Sequence, residues 1–190
     1  MTFIYERRIV RDILDGIARK KKLIHIITGP RQVGKTTAAL QIAEKWQGDV
    51  VNASADQPLP PGPEWIRAQW EKAERFSHQA NRRSGNQVLL ILDEIQKVKG
   101  WSEVVKALWD DSHRKTAIQV IILGSSSLLL QKGMSESLTG RFFLYPCPHW
   151  GYNEMKEAFG WHLDKWIFYQ KEGHYWHQDD HQQNDQHYFS

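Results

Sequence analysis

The sequence predicts an α/β fold in which a parallel sheet is covered by helices. Strand-like and helix-like segments alternate along the chain, as in βαβ units. Residues 88–92 (VLLIL) are wholly apolar, which is typical of a strand buried on both faces. A glycine-rich segment, residues 29–36, joins the first predicted strand to a helix. These three observations favour a parallel sheet with ligands at one of its edges.

The predicted elements begin with a helix over residues 6–20, where apolar side chains from Ile9 to Ile17 recur at helical spacing. The charged side chains of this helix are expected on its outer face: Glu6, Arg7, Arg8, Arg11 and Arg19. Strands are predicted at residues 23–27, 49–53, 88–92, 119–123 and 142–145. Helices are predicted from the glycine-rich segment to Gly48, and at residues 64–81 and 102–114. Residues 56–63, with four prolines, form a surface loop, and residues 81–86 form a polar, basic turn.

Residues 29–36, GPRQVGKT, fit the pattern G-x-x-x-x-G-K-[ST]. Gly29 and Gly34 let backbone N–H groups approach phosphate oxygens, and the helix that comes next adds the positive end of its dipole. Lys35 is a cation that reaches the β- and γ-phosphates, and Thr36 offers a hydroxyl to Mg²⁺. The alternative is a chance match in an ordinary βα turn, which the flanking strand and helix disfavour.

Two acids, Asp93 and Glu94, follow the apolar strand at residues 88–92. Ligands of open α/β sheets bind at the carboxyl ends of strands. Asp93 suits a carboxylate that holds Mg²⁺ through water, and Glu94 suits a general base that activates the attacking water. The alternative is a pair of solvated acids at the start of a loop. The predicted phosphate-binding segment at residues 29–36, called the phosphate loop below, and the strand before Asp93 disfavour this alternative.

Ser125 and Arg141 are two further candidates. Ser125 ends the fourth predicted strand, where its hydroxyl suits contact with the γ-phosphate or the attacking water, although a helix N-cap fits equally well. Arg141 precedes the fifth predicted strand and has the charge to stabilise a phosphoryl transition state, in its own subunit or in a neighbour. A surface arginine is an equal alternative for Arg141.

The composition narrows the class of protein. A chain of 190 residues suffices for one domain and a small appendage, and its net charge of +3 is too mild to require a nucleic-acid partner. One cysteine, Cys147, excludes an internal disulfide and suits a reducing compartment. The sequence shows no secretory signal and no apolar run long enough to span a membrane. We therefore expect a soluble, cytoplasmic protein without a membrane partner.

The basic and histidine-rich segments are candidate sites for binding nucleic acid and metal. A solvated turn is favoured over a nucleic-acid patch for residues 20–22, while Arg82-Arg83 leave nucleic-acid contact open. Residues 161–190 hold five of the nine histidines and no arginine, with one further helix expected at residues 163–169 and a frayed tail beyond Gly173. A solvated tail is favoured there over a metal site formed by the residues at helical spacing, His174, His177 and His181.

Four segments, GPRQVGKTT, LLILDEIQKVKGW, ILGSSSLLL and LTGRF, occur in this order. With them the chain resembles AAA-type P-loop ATPases over residues 3–159, most of all the small prokaryotic family in which an AAA domain precedes a separate C-terminal domain. The resemblance implies a three-layer α/β/α P-loop NTPase fold with a five-stranded parallel sheet in the order 5-1-4-3-2.

The resemblance also implies roles for individual residues. Asp93 and Glu94 would form Walker B, Ser125 would be the sensor after the fourth strand, and Arg141 a finger-like arginine. The Walker A loop that binds ATP would consist of Gly29, Pro30, Arg31, Gln32, Val33, Gly34, Lys35, Thr36 and Thr37.

The implied function is Mg²⁺-dependent binding and hydrolysis of ATP, coupled to a partner or to a C-terminal domain. A nucleotide-binding switch with little hydrolysis is the alternative, and a nucleic-acid-associated ATPase is a third hypothesis. A small-molecule kinase is disfavoured because Glu94 suits activation of water, and a GTPase because no Asn-Lys-x-Asp segment occurs. A homo-oligomer stays open, and the sequence identifies no protein partner.

The expected domain organisation comes from the same resemblance. Residues 1–159 are expected to form the ATPase domain, and residues 160–190 a truncated remnant or a flexible polar tail. Similar proteins continue with a helical lid and a C-terminal domain. Residues 148–154 look like the segment that links the ATPase domain of that family to its C-terminal part.

Overall fold

Five parallel strands and the helices between them position the candidate site. The computed structural model describes residues 5–19, 22–83, 87–125 and 138–160. The helices in these ranges are α1 (Arg8–Ile17), α2 (Lys35–Lys45), α3 (Pro63–Arg83), α4 (Trp101–Ser112) and α5 (Tyr152–Phe159), with a 3₁₀ turn at Ile95–Lys97. The strands are β1 (Ile24–Gly29), β2 (Val50–Ser54), β3 (Val88–Asp93), β4 (Ile118–Ser125) and β5 (Phe142–Pro146).

The sheet has the order β2-β3-β4-β1-β5, and all of its pairings are parallel. This is the predicted order 5-1-4-3-2 seen from the other edge, so the predicted fold is confirmed. Because the strands are parallel, the segments after β1, β3 and β4 meet at one edge. The phosphate loop and the Asp93-Glu94 pair therefore lie at the same edge of the sheet.

Apolar cores cover both faces of the sheet. Side chains alternate between the faces of a strand, so neighbouring residues of β1 and β3 belong to different cores. One core joins the sheet to α3 and α4 and includes Ile26, Leu90, Val120, Trp70 and Val105. The other joins it to α1 and α2 and includes Ile27, Ile91, Ile121, Ile13 and Ile42. Each such aliphatic side chain contributes about 1.5–3 kcal/mol when fully buried, so the two cores stabilise the sheet that carries the site.

Two sequence predictions about helices need correction. The helix α3 continues to Arg83, so the turn predicted at residues 81–86 is wrong for residues 81–83, and residues 84–86 lie outside the described part. Arginine is a good helix former, and the polar composition of this segment did not prevent helix formation. The prediction that Arg7 lies on the outer face is also wrong, because its side chain is 6% exposed.

The chain divides into two compact units, Met1–His149 and Trp150–Ser190. The first unit contains the sheet and helices α1 to α4. In the second, α5 begins after Gly151, whose N–H donates to the Glu154 carboxylate. This helix was not predicted from the sequence, although a glutamate at its third position is an N-terminal signal.

The predicted helix at 163–169 and the predicted tail beyond Gly173, with its histidines, fall on residues outside the described part. Among the helices that are described, none has the combined length and apolar character of a membrane span.

A buried histidine links β1 to β5. The His25 ring stacks on that of Tyr145 with 5.6 Å between the ring centroids, and Nδ1 lies 3.0 Å from the Tyr145 hydroxyl. Burial lowers the pKa of His25 from 6.5 to about 4. The same burial raises the pKa of Tyr145. The pair is therefore neutral at physiological pH.

The free energy of unfolding is expected to fall by about 3 kcal/mol through His25 as the pH drops from 6.5 to 4. The unfolded chain takes up a proton on this residue near pH 6.5, whereas the folded chain does so only near pH 4. Urea unfolding across this range measures the effect. In the comparison variant His25→Asn, which keeps a polar side chain able to hydrogen-bond Tyr145, the pH dependence should be weaker by that amount. Equal pH dependence in both proteins would contradict the prediction.

Candidate nucleotide-binding site

The phosphate loop turns sharply between β1 and α2. Gln32 and Gly34 have φ values of 60° and 90°, in the left-handed region. Gly34 caps α2, and its carbonyl accepts the N–H of Ala38. N–H groups in the first turn of a helix lack carbonyl partners within that helix, so the start of α2 is suited to bind an anion.

Lys35 begins α2, and its side chain is buried inside the loop. Its ammonium donates to the carbonyl of Gly29 at 3.0 Å and to that of Pro30. Burial lowers the pKa of Lys35, and the nearby Glu94 carboxylate is the strongest influence that opposes this. The loop thus holds its cation on neutral carbonyl groups, from which the flexible side chain can turn to a phosphate oxygen.

Asp93 ends β3 with a tightly held carboxylate. The Thr36 hydroxyl donates to Oδ2 at 2.7 Å, and the backbone N–H of Glu94 donates to Oδ1 at 2.7 Å. The structure therefore brings together the two residues predicted to bind metal. Among the described residues, no group of three or more His, Cys, Asp or Glu side chains forms a metal site. A hydroxyl beside one carboxylate fits Mg²⁺ that takes its other ligands from phosphate and water.

Glu94 has a left-handed backbone, with φ 52°, directly after β3. For a residue other than glycine such a conformation costs about 1 kcal/mol or more, and it is common at functional sites. Its Oε2 accepts a hydrogen bond from Gln96 Nε2. Sequence reasoning missed Gln96, although it lies two residues after the predicted catalytic pair. This contact fixes the direction of the Glu94 carboxylate.

A cavity of about 610 Å³ lies over the loop. Its walls contain Glu94 and six residues from the loop and the start of α2. These six are Arg31, Gln32, Gly34, Lys35, Thr36 and Thr37. Asp56 and Lys97, which form an ion pair, complete the lining. Neither was predicted as a site residue. The sequence feature that could have indicated Asp56 is its position shortly after β2, at the same edge of the sheet as the phosphate loop.

Ser125 ends β4 and pairs in the sheet with Gly29, the first residue of the loop. It is half-buried. Sheet pairing thus puts this predicted site residue beside the phosphate loop, at the edge where Asp93 also lies.

Arg141 lies at the opposite edge of the sheet. It comes just before β5, and its carbonyl accepts the N–H of Ile24 at the start of β1. A five-residue strand spans about 17 Å, so the structure does not bring Arg141 to the phosphate loop of its own chain. Its guanidinium makes a two-point ion pair with Asp110 of α4, at 2.7 and 2.9 Å. The hydrogen bonds from Arg141 lower the pKa of Asp110.

Comparisons with known proteins agree with this geometry. Aeropyrum pernix Orc1, solved in complex with DNA, superposes with a TM-score of 0.56 at 13% sequence identity. The match covers 80% of this chain and 47% of the Orc1 chain, and it shows the fold. No curated protein matches the sequence. A family model described as an AAA domain matches residues 21–156. The chain belongs to this AAA domain family, whose site is an ATPase-type nucleotide-binding site.

Proposed function

We propose that this AAA domain binds ATP with Mg²⁺ and hydrolyses it. The observation that carries the proposal is the meeting of Lys35, Thr36, Asp93 and Glu94 at one edge of the sheet. Lys35, Thr36 and Glu94 line a cavity of about 610 Å³, and Asp93 accepts a hydrogen bond from Thr36. The phosphate loop alone would support a proposal of nucleotide binding but not of hydrolysis. The Glu94 carboxylate on the cavity wall adds a base for activating water.

The proposed mechanism assigns one task to each residue. Backbone N–H groups of the loop and of the start of α2 bind the phosphate oxygens, and Lys35 turns from its carbonyl partners to the β- and γ-phosphates. Thr36 and Asp93 would hold Mg²⁺, which when bound neutralises charge on the phosphates. Glu94 accepts a proton from the water that attacks the γ-phosphorus, and ADP leaves with the electrons of the broken P–O bond.

The site residues on neighbouring strands have supporting roles in this proposal. Ser125, beside Gly29 in the sheet, is suited to hydrogen-bond the γ-phosphate or the attacking water. Arg141 would act on the nucleotide of a neighbouring subunit, because a β-strand separates it from its own loop. The exposed two-point pair with Asp110 keeps its guanidinium ordered at the surface until a neighbour docks. This requires a homo-oligomer with a head-to-tail interface.

We propose that residues 1–159 form the ATPase domain. Its hydrolysis of ATP would drive a change in a protein partner or in the part of the protein beyond this domain. Neither the net charge of +3 nor the likeness to Orc1, which concerns the fold alone, supports a nucleic-acid role for this chain. The cytoplasmic location stays a prediction.

Phosphate release from ATP with Mg²⁺, measured beside ATP binding, tests the proposal. The wild-type protein should release phosphate, and chelation of Mg²⁺ should stop it. In Lys35→Ala the affinity for ATP should fall by about 100-fold, because among the described residues Lys35 is the buried cation that lines the cavity. Full affinity and turnover in Lys35→Ala would refute the site. Binding without release in wild type would instead favour a nucleotide-binding switch.

A further inference from the structure

Arg7, just before α1, is a buried charged residue that spans two segments of the chain. Its side chain is 6% exposed. Nη1 donates to the carbonyl of Val33 in the phosphate loop at 2.6 Å, and to the sulfur of Cys147 at 3.2 Å. Nη1 and Nη2 both donate to the carbonyl of Pro148 at 3.2 Å. The guanidinium thus connects the middle of the loop to the residues directly after β5.

The segment after β5 also touches the start of the loop. The N–H of Cys147 donates to the Thr28 carbonyl at 2.6 Å. A Cβ atom on Gly29 would lie 2.0 Å from the Cys147 carbonyl oxygen, so the two backbones are in direct contact there. Cys147 therefore contacts the loop at its first residues. It also contacts Val33, both through Arg7 and by a weak direct contact of its thiol, which donates to the Val33 carbonyl at 3.9 Å.

The residues next to Arg7 are fixed to α2. The carbonyl of Tyr5 accepts a hydrogen bond from Gln41 at 2.6 Å, and Glu6 forms an ion pair with Lys45. Since α2 starts within the loop, this anchoring holds Arg7 in a constant position relative to the phosphate site. A buried guanidinium with fixed neighbours can orient the groups that accept its hydrogen bonds.

The peptide between Val33 and Gly34 shows what Arg7 orients. In a planar trans peptide the C=O and N–H bonds point in opposite directions. Because the Val33 carbonyl is bound by Arg7, the Gly34 N–H points the other way, and Gly34 lines the cavity over the loop. A backbone N–H in this place is a donor for a phosphate oxygen.

We propose that Arg7 is a positioning residue for nucleotide binding, which fixes the Val33–Gly34 peptide and ties the loop to Cys147 and Pro148. These residues directly precede the second compact unit, which starts at Trp150. Nucleotide in the loop therefore restrains the segment that leads to that unit. The inference rests on the proposed binding of ATP at this loop.

The single cysteine of the chain, Cys147, reports on this contact. Reaction of its buried thiol with a disulfide reagent measures how often the segment opens. In the nucleotide-free protein, Arg7→Met should raise this rate by about tenfold or more and weaken ATP binding by about tenfold, since the loop peptide is no longer held. Arg7→Lys keeps the charge without the planar fork and should resemble Arg7→Met.

Two control variants separate local opening from global unfolding. Arg8→Met removes the adjacent arginine, whose side chain is 88% exposed, and should change neither the thiol rate nor the ATP affinity. Val105→Ala lowers global stability in the core on the other face of the sheet. If Arg7→Met exposes Cys147 no more than Val105→Ala does at matched stability, Arg7 has no local role and the proposal is overturned.

Addition of ATP with Mg²⁺ tests the link from the loop to Cys147. Saturating nucleotide should slow the thiol reaction several-fold in wild type and have a much smaller effect in Arg7→Met. Bound ATP that leaves the wild-type thiol rate unchanged would overturn the link. A wild-type protein that binds no ATP would refute the proposed function, while the nucleotide-free rates would still decide whether Arg7 holds Cys147.

Discussion

Replacement of Glu94 by glutamine is expected to lower phosphate release from ATP by about 10²- to 10⁴-fold, with ATP binding largely retained. Glutamine keeps the size and the hydrogen-bonding partner Gln96 but cannot accept a proton from water. The loop, Lys35 and Asp93, which we propose to hold the nucleotide and its Mg²⁺, are unchanged. A fluorescent phosphate sensor and titration with a fluorescent ATP analogue measure the two effects separately.

Two further substitutions sharpen this test. Glu71 is an exposed residue of α3, and Glu71→Gln should leave both turnover and binding at the wild-type level. Asp56 is the other carboxylate that lines the cavity, where it pairs with Lys97. Should Asp56→Asn abolish turnover while Glu94→Gln does not, the general base would be Asp56 and our assignment would be wrong. Loss of ATP binding in Glu94→Gln would place Glu94 among the binding residues instead.

The sequence was sufficient to predict the fold because the relevant signals are local. The apolar run of β3 and the short spacing between β1, the loop and α2 each lie within a few residues. Parallel pairing then brings the residues after β1, β3 and β4 to one edge. For this reason Lys35, Thr36 and Asp93, predicted from separate motifs, meet in the structure.

The side-chain contacts that were not predicted from the sequence join residues far apart in the chain. They also involve polar side chains, which can be either buried or exposed. Arg7 reaches acceptors that are 26 and 141 positions away, and helical periodicity gives no indication of this. The ion pair between Asp56 and Lys97 spans 41 positions. An arginine in an amphipathic helix is usually solvated, so its burial depends on which carbonyl groups the fold leaves beside it.

For Arg141 the sequence motif predicts a chemical role but does not indicate where the residue acts. Its position before β5 was compatible with action in its own subunit or in a neighbour. Parallel pairing of β5 with β1 puts it at the amino edge of the sheet, away from the loop at the carboxyl edge. The geometry therefore favours action on a neighbouring subunit, which a mixing experiment can test.

Arg141→Ala is expected to lower turnover by about 10³-fold at unchanged ATP affinity, because it removes positive charge from the transition state and leaves the loop intact. Glu94→Gln is expected to have low turnover for a different reason, the loss of the proposed general base. An equal mixture of the two variants should regain activity, since a site with Glu94 can then meet an Arg141 from the other chain. With random assembly about a quarter of the head-to-tail interfaces would be complete.

The concentration dependence of turnover provides an independent test of Arg141. If the active site forms between subunits, the wild-type rate per subunit should rise with protein concentration, and the mixture should show the same curve at a lower plateau. Arg67→Ala removes an exposed arginine of α3 and serves as the control, with wild-type turnover expected. An inactive mixture, together with a lowered melting temperature of Arg141→Ala, would mean that the pair with Asp110 serves stability alone. Recovery in the mixture requires two chains at each site, because neither variant carries both groups.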